Sequence, residues 1–253
     1  MDYFVRPDSI VREIWGKSDT VLFIFAGAAA EFALNRAVDW LYFTGHLPAD
    51  PLGRLFSTVE YAGKIVFSRH FEAVAAIDAI NKIHSGVEEQ RGGKIPQWSY
   101  RDVLFMLIAY SINAYELLER RLTNTEKEEI FDVFNRVGQR MKIEGLPENF
   151  QEWVLQREKH LQQDMEQSRY TKDLYRQYRK HLGAVRYWLL LQVQQMVCPL
   201  KVRELLHLKG NPIIPPALVA YKWSRLLKLN GILKSLLLPS AYKPQIKELD
   251  RNR

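Results

Sequence analysis

Residues 50–116 read DPLGRLFSTVEYAGKIVFSRHFEAVAAIDAINKIHSGVEEQRGGKIPQWSYRDVLFMLIAYSINAYE. Apolar side chains recur here at spacings of three and four, and strict alternation over a strand's length is hard to find. That is the period of amphipathic α-helices. The punctuation agrees with it. Asp50 is placed to cap a helix starting at Pro51 or Leu52, proline suits a first turn, and Gly92 with Gly93 closes the following helix. The turn GGKIPQWSY that follows leaves room for a small hairpin near 92–99.

Working outward, the same period predicts helices near 18–40, 52–68, 70–90, 100–121, 124–142, 149–165, 170–197 and 215–237. Thr123, Thr125 and Asn149 are candidate caps for those in the middle of the chain. The expected fold is all-α, a single compact multi-helix domain over 1–253, because no fixed-period repeat, low-complexity tract or long linker divides it. The apolar run from Val21 to Leu34 is short for a membrane span and contains Glu31, so it reads as a buried core helix. Trp188, with Leu189, Leu190, Leu191 and Val193, marks a helix apolar on most sides, expected to be central and to wall a pocket.

Charge is placed unevenly. Residues 1–198 hold 25 Lys and Arg against 26 Asp and Glu, whereas residues 199–253 hold 11 against 3. The net +7 therefore belongs to 199–253, a basic C-terminal helical extension. Within it, 217–238 mixes Lys222, Arg225, Lys228 and Lys234 with Trp223 and leucines. That pattern suits either peripheral membrane contact or a docked helix with its lysines outward. No nucleic-acid-binding signature accompanies the basic pI. The N-terminus lacks the basic-then-apolar order of a secretory signal, so the expectation is a cytoplasmic protein, at most peripherally attached to membrane.

Several chemistries are excluded. Cys198 is the single cysteine, which rules out an intrachain disulfide and a cysteine metal cluster. Glu204 and His207 form one Glu-x-x-His, but a helical di-iron site needs two. There is no P-loop, dinucleotide glycine fingerprint or nucleophile elbow. His46 and His70 fall in breaks, and His160 and His181 in charged stretches where solvated surface is the default.

His84 is different. On a helix, Ile77, Ile80, His84 and Val87 share one face, so the imidazole projects with apolar side chains. By itself that spacing fits a hydrogen-bonded core histidine as well as a ligand. Arg54 and Thr58, at i and i+4, share a face beside Tyr61 at the edge of the apolar line Leu55, Val59, Ala62 and Val66. Arg54 there either pairs with Asp50 or serves a pocket.

The order of these elements resembles the catalytic domain of the mpaB and latex-clearing rubber oxygenase family: an Arg with a Thr four residues on, a hydrophobic-His-x-x-Val element at Ile83–Val87, a glycine turn, and an apolar helix from Val103 to Ala114. RVGQRMKIEGLP (136–147), VRELL (202–206) and LLLP (236–239) extend the likeness over nearly the whole chain. The resemblance implies haem b in a buried pocket, with His84 as iron ligand and Arg54 and Thr58 beside it. It also implies an oxygenase using dioxygen on a small apolar, unsaturated, isoprenoid-like substrate. The alternative is a non-catalytic haem or lipid binding or sensing protein on the same fold. Rubber oxygenases carry a lysine just before the threonine, where this chain has Ser57, and many members carry a histidine near Ile108. The resemblance therefore implies neither a lysine-gated state nor polyisoprene cleavage.

Overall fold

The computed structural model describes residues 2–45 and 49–226, and the calls for 227–238 lie outside the described residues. It is all-α, as expected. Helices α1 (Ile10–Trp15), α2 (Ser18–Phe32), α3 (Val38–Phe43), α4 (Pro51–Phe67), α5 (His70–Arg91) and α6 (Gln97–Leu118) make the first half. The second comprises α7 (Asn124–Arg140), α8 (Phe150–Gln163), α9 (Arg169–Val197), α10 (Leu200–Leu205) and α11 (Ile214–Leu226). Among the described residues there is no β-strand, only isolated bridges between Tyr3 and Arg69 and between Asn35 and Met165.

Local chemistry sets the boundaries. Asp50 accepts the Gly53 amide with Pro51 in the first turn, and Asn149 and Thr123 accept the Glu152 and Glu126 amides. Gly92 ends α5 at a φ of 67°, which only glycine adopts cheaply. No hairpin follows at 92–99. Glu88 reaches forward to accept the Ile95 amide, and Pro96 leads directly into α6, so no strand partner forms for the turn. The helix expected over 18–40 is divided. Asn35 turns its side-chain oxygen onto the Ala37 amide, an alternative to continuing the helix, and the Leu34 carbonyl leaves the axis to accept the Glu166 amide.

The core lies between α2 and α6, with α1, α7 and α8 packed around them. Gly27 permits their close approach. A Cβ there would sit 2.3 Å from the Tyr110 ring. The helix carrying Trp188, α9, packs on α2 rather than occupying the centre, and Trp188 is 42% exposed. A kink at Gly183, with φ 73°, divides α9. Its Leu182, Leu190 and Val193 do wall an apolar cavity of about 160 Å³, together with Phe25, Leu52 and Phe56. Among the described residues, no helix is long and apolar enough to cross a membrane.

Candidate functional site

α4 and α5 run antiparallel through the turn at Ser68 and Arg69. Arg54 and His84 stand nearly equal distances from that turn, roughly 20 Å at about 1.5 Å per residue, so the hairpin brings them to one level. Their charges are coupled. Burial first, and then the Arg54 guanidinium, pushes the His84 imidazole down to about 4, so the ring is neutral near pH 7. Its Nδ1 is buried with no hydrogen-bond partner.

Tyr100, from the first turn of α6, lays its ring 5.0 Å from that of His84, and its hydroxyl donates to Glu88 Oε1 at 3.3 Å. Glu88 is one turn beyond His84 and is engaged by the Lys94 ammonium at 2.7 Å. Arg54 behaves otherwise. Among the described residues its guanidinium has no hydrogen-bond or ion-pair partner, and the Asp50 side chain is turned to the Gly53 amide instead. Burial lowers its pKa. Thr58 donates to the Arg54 carbonyl at 3.1 Å and Ser57 does so at 2.8 Å, so both hydroxyls are spent on the backbone.

His84 is half-buried rather than enclosed, as are Ile80 and Val87 on the same face and Arg54, Thr58 and Tyr61 on α4. The strip joining these residues is neither dense core nor open surface.

A second group of polar residues lies deeper, and the sequence reading missed it. Glu31 of α2 is fully buried and forms a two-pronged ion pair with Arg157 of α8. Tyr110 of α6 donates to Glu31 at 2.8 Å. His160, one turn beyond Arg157, sets its Nδ1 2.7 Å from Asp102 and 3.2 Å from Asp164, and its Nε2 3.5 Å from Glu31. Asn35 donates to the other Asp102 oxygen at 3.1 Å. His160 is thus buried, not on solvated surface. Burial raises the Asp102 carboxyl, whereas at Glu31 burial is outweighed by the opposing charge of Arg157 and Glu31 falls to about 2. Asp102 and Glu31 outweigh burial at His160, which rises to about 9.

The site thus sets a neutral imidazole, short of a partner, against a cation in an all-helical domain. Comparison of sequences specifies it further. The chain matches the family described as ER-bound oxygenase mpaB/B'/Rubber oxygenase, catalytic domain, over residues 14–229, and it belongs to that family. Neither a curated protein nor a solved structure matches it. Family membership supports an oxygenase-type function, with dioxygen and an organic substrate as its reactants.

Proposed function

We propose that the chain is a haem b-dependent oxygenase acting with dioxygen on an apolar, unsaturated, isoprenoid-like substrate. The observation that carries this reading is the pair of unmet groups at one level of the α4–α5 hairpin. His84 has a buried Nδ1 without a partner, and Arg54 has no anion among the described residues. Buried polar groups are nearly always satisfied, so the unmet Nδ1 of His84, with the half-buried Arg54 guanidinium at the same level, favours a ligand that completes both. Haem does so chemically. His84 would supply the iron with one neutral imidazole and Arg54 would pair with a haem carboxylate, and the group would supply dioxygen chemistry.

Within that reading His84 holds the iron, and Tyr100 against the imidazole ring fixes its plane. Arg54 would pair with a haem carboxylate. Thr58 lines the same side, its hydroxyl already anchored to the backbone, so its methyl is the part left to meet the ligand. The bound haem supplies activation of dioxygen; the protein supplies orientation and a dry surround. The apolar cavity walled by Leu52 and Phe56 lies on the face of α4 turned away from Arg54 and is not part of this site.

An absorption spectrum of the full-length protein from haem-replete cells tests this, beside the His84→Ala variant. A Soret band is expected in the wild type and its loss or marked shift in the variant. A colourless protein that also refuses added haemin overturns the cofactor assignment, and an unchanged band in the variant overturns the ligand. Oxygen uptake with a panel of isoprenoid alkenes then separates an oxygenase from a haem-binding sensor.

A further inference from the structure

Asp102, His160 and Asp164 bring one ligand atom each within 4.8 Å of one another, at a place separate from His84. Asp102 comes from the start of α6, His160 from the last turn of α8, and Asp164 from the residue that ends α8. We infer that these three side chains form a binding site for a single divalent first-row cation, zinc being the representative ion.

Charge is the first argument. The groups in direct contact here are three carboxylates, those of Glu31, Asp102 and Asp164, against one guanidinium, that of Arg157. With a neutral imidazole the cluster carries two uncompensated negative charges, one among the buried Glu31, Asp102 and Arg157 and one on the partly exposed Asp164. A proton on His160 compensates the buried one, and a divalent ion held by the three side chains would compensate both.

Geometry is the second. Donor atoms around a tetrahedral zinc with bonds of about 2.0–2.1 Å stand roughly 3.3 Å apart. His160 Nδ1 lies 3.2 Å from Asp164 Oδ2 and 2.7 Å from Asp102 Oδ1, and the three atoms all stand within 4.8 Å of one another, so adjustments of about an ångström bring them to that spacing.

The surroundings are the third. Metal-bound histidines donate their other ring nitrogen to a carboxylate, and ligating carboxylates are themselves hydrogen-bonded. His160 Nε2 faces Glu31 Oε1 across 3.5 Å yet has no hydrogen-bond partner as placed. Glu31 is held on both oxygens by Arg157 and on Oε2 by Tyr110, and the second oxygen of Asp102 is held by Asn35. Such an outer shell is in place before any ion arrives. Asp164, 27% exposed, is the way in and leaves a fourth position for water.

Equilibrium dialysis of the EDTA-stripped full-length chain against zinc chloride, with metal measured by mass spectrometry, tests the site. About one zinc per chain is expected, with at least a tenfold weaker uptake in Asp164→Asn and recovery in Asp164→His, which restores a ligand. Asp164 is partly exposed, so circular dichroism of each variant is expected to match the wild type. Uptake below about a tenth of an equivalent overturns the assignment, and so does uptake unchanged in Asp164→Asn. His84→Ala is expected to take up zinc as the wild type does, which keeps this result separate from that of the haem.

Discussion

His84 of α5 and His160 of α8 both meet side chains of α6, yet their surroundings are opposite. His84 is half-buried, neutral and has a nitrogen that nothing satisfies. His160 is buried among Asp102, Asp164 and Glu31, which favour its charge. The first lacks partners and the second has an excess of negative ones. α6 connects them. Tyr100 faces His84, while Asp102, two residues on and so toward the other side of the helix, faces His160. The contrast separates a region with an unmet nitrogen from one that fastens α2, α6 and α8 together.

The difference is sharpest in stability. Arg157→Leu removes the cation that compensates Glu31 and leaves a carboxylate fully buried, for which a loss of about 3–5 kcal/mol is typical. A domain of ordinary stability has only about 5–15 kcal/mol in total. Urea unfolding should therefore show a large drop in midpoint, or a variant that accumulates poorly. A midpoint within about 0.5 kcal/mol of wild type would mean that Glu31 is hydrated, and the distinction between the two regions would fail.

His84→Ala should do the reverse. The imidazole is half-exposed and its Nδ1 makes no hydrogen bond, so truncation gives up little packing and no polar partner. A change below about 1 kcal/mol is expected in the haem-free protein, with haem uptake as the property that suffers. A loss as large as that of Arg157→Leu would make His84 a structural residue after all.

How legible each region is in the sequence follows from the same contrast. The His84 region is built from one helical hairpin, so the 3.6-residue period around Ile77, Ile80 and Val87 is enough to place the imidazole, and Arg54 follows from the hairpin's length. Even there the period overstates burial, because it cannot say whether another helix covers the face. The deeper network is assembled from residues far apart. Glu31 and Arg157 are 126 positions apart, and no local pattern joins them.

Trp153, Arg157, His160 and Leu161 do share a buried face of α8, but two are polar and neighbour Glu158 and Lys159, so the stretch reads as solvated. Glu31 was the available signal. An acid inside the apolar run from Val21 to Leu34 needs a buried cation, and the search for one leads to α8. The lost hairpin at 92–99 and the break at Asn35 have the same origin: side-chain acceptors captured backbone amides that composition alone assigns to regular structure.

The smallest expected effect is an absence of reaction, and it tests whether the deeper region is closed to its far end. Cys198 follows α9 with its sulfur 3.7 Å from the Tyr110 hydroxyl and 3.9 Å from the Gly27 carbonyl, so it continues the chain of contacts that begins at Glu31. Burial raises the thiol to about 12. At pH 8 only roughly one thiol in ten thousand is then ionised, and the thiolate is the reactive form. The native chain should stay unlabelled by iodoacetamide over hours and react fully in urea. The dependence on urea carries the information. Labelling that rises only through the unfolding midpoint means that the thiol opens with the whole domain. Labelling at low urea with a flat dependence means that the end of α9 opens by itself, and the network's hold would then stop at Tyr110.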